Sequence, residues 1–221
     1  MAEFGLDPKC KWDGLIYLSK KLHNIEFDPD FTDLFYDLIL VPAYTENRHY
    51  HTLRHVEYML HHVNDFIGIG RFNSNLLKWA IWFHDIIYDS KRTDNEKRSA
   101  KALADFSRVI GIDEESIKIM EWLIILTSHK GQPQTRLEDI ICDLDLREFV
   151  SDRSHLNVEE VRKEFGHVSD KEFYEGRIDF INSMLAKEFI YHTDEYRDTL
   201  EDAARHNLRK ELDTIKQQLN G

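Results

Sequence analysis

Apolar residues along this chain recur at intervals of three and four rather than in alternation, and turn-forming residues are sparse, with four prolines and nine glycines. The pattern predicts an all-α protein. Helices are expected over about 13–22, 31–40, 46–66, 74–88, 94–109, 114–128, 137–149, 157–165, 170–190 and 195–218. Some starts have a chemical cause: Thr93 with Glu96 and Ser169 with Glu172 have capping-box spacing, and Pro29 after Asp28 suits a first helical turn. The polar gaps SHKGQP (128–133) and SDRSHLN (151–157) are short enough to be loops, and no change of composition marks a linker. A compact bundle of about nine or ten helices in a single domain is therefore expected.

The segment NLLKWAIWFHDIIY (75–88) is apolar on nearly every side and belongs at the centre of the bundle. Its polar exceptions, His84 and Asp85, then need a reason. An unpaired buried carboxylate costs several kcal/mol or raises its pKa until it protonates, so Asp85 requires a cation, a strong donor or solvent. Adjacent helical residues point about 100° apart, so a metal between them can draw a ligand from each and the rest from neighbouring helices. The plainer reading places both at a helix end, against water or an arginine.

A second cluster is RHYHTLRH (48–55). His51 and His55, four apart, are expected one turn apart on one helix face, where both could ligate a metal, or one could ligate while the other donates a proton. A core histidine bonded to a neighbouring helix is the plainer alternative, and His49, His61 and His62 read as surface or interface residues. In ICDLDLREF (141–149), Asp143 and Asp145 interrupt an apolar run, so at least one faces inward. On a regular helix they diverge by about 200°, so both should not reach one ion. Two histidines and two aspartates suit a borderline divalent metal rather than a thiolate-seeking one.

With YHTLRH (50–55), FHD (83–85) and DLD (143–145) in that order, the chain resembles the HD superfamily of metal-dependent phosphohydrolases. The resemblance implies an HD-domain-like helical bundle, with a metal-site core at about 46–150 and a helical C-terminal extension at about 154–218. YHTLRHV is similar to the YHNxxHA stretch of the cyclic nucleotide phosphodiesterases of that superfamily, which implies His51 as general acid and His55 as a metal ligand. His84, Asp85 and Asp145 are the other implied ligands, with His129 and Asp143 as possible additional ones. The words NEKRSA (95–100), LTSH (126–129), FYEGR (173–177) and ARHNLRKEL (204–212) extend a closer similarity, over about 36–216, to a group of predicted HD phosphohydrolases. Dinuclear members use further histidines between the HD pair and the last aspartate. Here that interval holds only His129, which favours one divalent transition metal ion (Mn, Co, Zn, Fe or Ni) and weakens the phosphodiesterase reading.

The expected activity is hydrolysis of a small phosphate ester, with a nucleotide among the candidates and with Asp85 and His51 as catalytic groups. The alternative is a non-catalytic metal- or nucleotide-binding module. Phosphate-facing cations could be Arg48, Arg54, Lys130 or Arg177, with Lys91, Arg92 and Arg205 also available; sequence does not choose among them. A net charge of −12 without a basic stripe argues against nucleic acid. No apolar run is long enough to span a membrane and the N-terminus has no leader pattern, so a cytoplasmic protein is expected. Two cysteines exclude a disulfide framework, Cys142 reading as a buried thiol. Self-association is left open.

Overall fold

The computed structural model describes residues 7–151 and 153–220, and the side chains of these apart from His155, Leu156 and Asn220. Residues 1–6, to which the leader argument refers, and Asp152 within the SDRSHLN gap lie outside the described residues. Helix α1 (Pro8–His23) starts where the Asp7 carboxylate accepts from Lys9 N, and α2 (Pro29–Phe35) starts where Asp28 accepts from Asp30 N; each has its proline in the first turn. A π-helical stretch (Tyr36–Leu40) carries α2 into the short α3 (Val41–Ala43). There follow α4 (Leu53–His62), α5 (Gly70–Phe83), α6 (Asn95–Val109), α7 (Glu114–Leu126), α8 (Arg136–Leu146), α9 (Ser154–Glu164), α10 (Asp170–Ala186) and α11 (Asp194–Asn220). Short 3-10 turns extend α4 at Val63–Asp65 and α8 at Arg147–Val150, and no strand occurs among the described residues.

Helix α5 is the axis of the bundle, as its all-round apolar sequence predicts. Leu76, Leu77, Trp79, Ala80, Ile81, Trp82 and Phe83 are all buried, and α1, α4, α6, α7 and α8 pack around them. Trp12 of α1 meets Trp79 and Trp82 edge to face, with centroids 5.5 and 5.6 Å away, the arrangement that the ring quadrupoles favour. Ser19 accepts the Trp79 indole N–H at 2.9 Å, so this donor is satisfied inside the core. Helices α6 and α7 form a tight pair whose turn passes through Gly111 at φ 88°, a conformation open to glycine. Helices α10 and α11 pair with each other, and α11 also packs on the turn after α8.

Among the boundaries that differ from the sequence pattern, two beside the site do so through hydrogen bonds made elsewhere, and one expected N-cap is replaced. Helix α4 starts at Leu53 rather than near 46: Asn47 has φ 55°, and the N–H groups of His49, Tyr50 and His51 turn to Glu164. Helix α5 ends at Phe83 rather than 88: Ile86 N–H closes a tighter turn on the Phe83 carbonyl, Ile87 N–H donates to Ser99 Oγ instead of continuing the ladder, and the Asp85 and Ile86 carbonyls accept from the Arg48 guanidinium. The capping box expected of Thr93 and Glu96 is absent; Asp94 is the N-cap residue, and its carboxylate is taken by Arg92 at 2.7 Å. The Ser169–Glu172 box is formed in full.

Replacing Trp12 with Ala should lower unfolding free energy by about 3–5 kcal/mol, since the site is walled by rigid aromatic rings and cannot collapse into the space. Urea denaturation measures this. A loss under about 1 kcal/mol would mean that the aromatic cluster does not anchor α1.

Candidate functional site

Four helix ends deliver the polar groups. His55 lies in the first turn of α4, His84 and Asp85 follow α5, His129 follows α7, and Asp145 is in the last turn of α8. His55 and His84 are buried, and their imidazole nitrogens lie with an Asp145 oxygen in one group of potential metal ligands, all within 4.8 Å of one another. His55 Nε2 is 3.1 Å from Asp145 Oδ1, and His84 Nε2 is 3.8 Å from the same oxygen. Asp85 stands at the edge of this trio, its Oδ2 3.0 Å from His84 Nε2.

The chemistry of His84 tests whether the set fits a cation. Its Nδ1 is 2.8 Å from the Ile81 carbonyl, which only accepts, so Nδ1 carries the hydrogen. Nε2 then faces two carboxylates, is buried, and has no aligned hydrogen bond. A lone pair aimed at anionic oxygens is repulsive unless a proton or a metal ion lies between. Burial by itself lowers His84 basicity, yet the Asp85 and Asp145 charges outweigh it and bring the pKa up to about 9. Asp145 is held well below the usual carboxylate range: burial opposes ionisation, but hydrogen bonds from His129 and His55 prevail. Asp85 shifts down as well, where the His84 and His51 charges overcome burial. The pocket of ligand atoms thus selects positive charge, and a divalent ion fits its donor set.

Of the two aspartates of α8, only Asp145 turns to this centre. Asp143 is fully buried on the other side, where Oδ1 accepts from His192 N at 2.7 Å and Oδ2 accepts from Thr193 N and Thr193 Oγ1 at 2.8 and 2.6 Å. Its place as an additional ligand is corrected: it anchors the connection between α10 and α11. Burial lifts its pKa to about 6 despite the bonds it accepts. His129, at φ 54°, donates to Asp145 Oδ2 at 2.8 Å and so fixes the carboxylate whose other oxygen faces His55. It is absent from the three-ligand group.

His51 is not on a helix face with His55, because it precedes the N-cap Thr52. It reaches the site another way. Oε1 of Glu164, the last residue of α9, accepts the N–H groups of His49, Tyr50 and His51 at 2.8, 2.8 and 3.1 Å, a nest of backbone donors around one anion. Its Oε2 lies 2.6 Å from His51 Nδ1. Burial would raise the Glu164 pKa, but the His51 bond and charge and the backbone donors pull it to about 2, so the carboxylate accepts and Nδ1 donates. Burial would lower the His51 pKa, but Asp85 and Glu164 raise it. The ring stacks on Tyr88 with centroids 4.1 Å apart, and Nε2 is the nitrogen left for a ligand.

His51, His129 and Asp145 form part of the wall of a cavity of about 620 Å³, closed on its other sides by α9, α10 and α11. The expected phosphate-facing cations are placed differently. Arg48 is spent on the carbonyls of His51, Asp85 and Ile86 and sits over the Tyr44 and Tyr88 rings. Arg54 is paired with Glu148 and Glu160 and does not line the cavity. Lys130 is exposed and outside it. Arg177 does line it, in a two-pronged pair with Glu211 at 2.7 and 3.2 Å. The residue that sequence reasoning missed is Glu164. Its only local signal is an acid at a helix C-terminus, where the dipole disfavours negative charge.

The chain matches no family model, no curated protein and no solved structure.

Two outcomes follow from this geometry. Asp145→Asn should strip most divalent-metal affinity, read by calorimetry or elemental analysis, whereas Asp143→Asn should keep the metal and cost about 1–3 kcal/mol of stability by setting an amide N–H₂ against backbone donors. The reverse pattern would exchange their roles. The His51–Glu164 pair also sets a pH window. The depressed Glu164 pKa gives stability present above its ordinary 4.5 and lost as pH falls through about 2. The raised His51 pKa gives stability present below its ordinary 6.5 and lost as pH rises through the higher folded value. Their joint contribution is therefore greatest between 4.5 and 6.5, and Glu164→Gln should lower melting temperature most inside that window. A uniform drop at every pH would show that the pair does not carry it.

Proposed function

We propose that this chain is a metal-dependent phosphohydrolase acting on a small phosphate ester. One observation carries the reading: the His55, His84 and Asp145 ligand atoms converge near a partly exposed histidine, His51, that lines, with Asp145, a cavity large enough for a substrate. The resemblance of the YHTLRH, FHD and DLD motifs to the HD superfamily points the same way. A divalent ion held by His55, His84 and Asp145, with Asp85 at the edge, would supply Lewis acidity toward a phosphoryl oxygen and acidify bound water.

The chain's own groups have distinct parts in this reading. Asp85, kept anionic by the His84 and His51 charges, faces His84 Nε2 at the edge of the ligand group and adds to its demand for a cation. His129 keeps Asp145 from rotating. Glu164 fixes the tautomer of His51, leaving Nε2 to protonate the leaving oxygen, and the raised His51 pKa keeps that proton available near neutrality. Arg48 holds the turn that carries Asp85 by its backbone rather than meeting substrate. The Arg177–Glu211 pair, with one further cation, Lys210, and one further acid, Glu159, on the wall, leaves the part of the cavity away from Asp145 close to neutral, which suits a substrate with its charge gathered at one phosphate.

A panel of nucleoside monophosphates, sugar phosphates and cyclic nucleotides, assayed with Mn, Co, Zn, Mg and Fe(II), tests the activity; no turnover with the site loaded would favour the non-catalytic binding module. His51→Ala should retain metal and lose roughly 10²–10⁴ in rate on an alkyl phosphate, and much less on an activated aryl phosphate. Equal losses on both esters would assign His51 to positioning phosphate, and loss of metal would make it a ligand.

A further inference from the structure

A second cavity, of about 390 Å³, lies away from the metal-ligand cluster among α1, α4 and α5. Its walls have a plain helical logic. Cys10, Lys11, Gly14, Leu15 and Leu18 form one stripe of α1, Leu60 comes from α4, and Lys78 and Trp82, four apart, are neighbours on one face of α5.

Three features here lack an explanation from folding alone. Lys78 is half-buried, yet no carboxylate pairs with it among the described residues, in a chain with 41 acids and 29 basic side chains. Its neighbour Lys11 is answered by Glu57 at 3.3 Å. Trp82 is fully buried, and its indole N–H has no acceptor, whereas the Trp12 and Trp79 indoles both do. Gly14 stands inside α1, where glycine weakens a helix, although an added Cβ would meet nothing within 4 Å. Neither packing nor backbone conformation demands glycine there; its effect is to leave the mouth of the cavity open.

Both unanswered polar groups are donors on one helix face, and Leu15, Leu18 and Leu60 give the wall an apolar stretch beside the polar His61 and Asn64. We infer that this cavity binds a small amphipathic organic anion, a carboxylate on an apolar tail, with the carboxylate at Lys78 and the tail along Leu15, Leu18 and Leu60. A carboxylate meets the unpaired ammonium with a charge-assisted bond, and the apolar tail replaces water on the leucine wall. The lowered basicity of Lys78, caused by burial, is what an ammonium without its counter-ion should show. The inference is independent of the proposed phosphohydrolase activity, since the two cavities share no lining residue and the site can be tested by binding alone.

Octanoate is the probe, with octanol and inorganic phosphate as its tail-only and charge-only controls, each titrated into the full chain by calorimetry and thermal shift. Octanoate should bind and raise the melting temperature, while either control binds at least about tenfold more weakly. The indole N–H proton resonance of Trp82, assigned by its loss in Trp82→Phe, should move on octanoate addition. Two variants address the site from opposite sides. Lys78→Gln should bring octanoate down to the level of octanol, and Gly14→Leu should fill the mouth and abolish binding while making α1 more stable, so that misfolding cannot account for the loss. Absence of octanoate binding, octanol binding as tightly as octanoate, phosphate alone reproducing the effect, or binding undiminished in Gly14→Leu would each overturn the assignment.

Discussion

The bundle is organised around a charge that it cannot leave unanswered. Asp85 and Asp145 are brought to the same imidazole deep among apolar helices, and two ionised carboxylates at that separation repel strongly in a medium that screens poorly. The helix ends sharpen the demand. Asp145 is in the last turn of α8, Asp85 follows the end of α5, and His129 follows the end of α7, so the negative ends of three helix dipoles converge with the acids. Helices normally place cations there. Here the histidines take that role, and their free lone pairs make the same point a place for a metal ion as well as for a proton.

That centre is joined to the C-terminal helices through one side chain. Glu164 ends α9 and would be disfavoured there as a bare charge, but the chain between Asn47 and Thr52 gives up helical hydrogen bonds to wrap three N–H groups around it. The same carboxylate then orients His51, and Ser90 bonds the Glu164 carbonyl at 2.7 Å, so the end of α9 is tied to the turn after Asp85. Asp143 does the equivalent work for the connection into α11. These two acids, outside the candidate ligand group, hold in place the helices that line its cavity.

This division explains what could be read from the sequence. Apart from the three-residue α3, the helices of the described residues follow from apolar periodicity, and the central position of α5 from its lack of a polar face, because burial of side chains decides both. The divergence of Asp143 and Asp145 also follows from helical geometry. The start of α4 and the end of α5 do not, since Glu164 and Ser99, residues outside the two helices, take backbone N–H groups from the local ladder. Periodicity put His51 on the same helix face as His55; the structure brings it to the site on a bent loop instead. Long-range polar contacts leave almost no trace in local pattern, which is also why four arginines and lysines that look available as phosphate contacts are indistinguishable from those already bonded to carbonyls and carboxylates.

The engagement of those cations has a consequence for recognition on the proposed reading. With Arg48 on backbone carbonyls, Arg54 between two glutamates and Arg177 against Glu211, the cavity wall near Asp145 offers an incoming phosphate little positive charge beyond His51 and His129. Asp85 and Asp145 would repel a dianion directly, at a cost that hydrogen bonds from two imidazoles do not offset. Attraction for phosphate then depends on a divalent ion first reversing the sign of the site. Metal and substrate binding become thermodynamically linked, each strengthening the other by the same factor, and the apo centre discriminates against the anions that its loaded form would hold. A constellation that demands a cation before it can tolerate an anion orders the two binding events without any moving part.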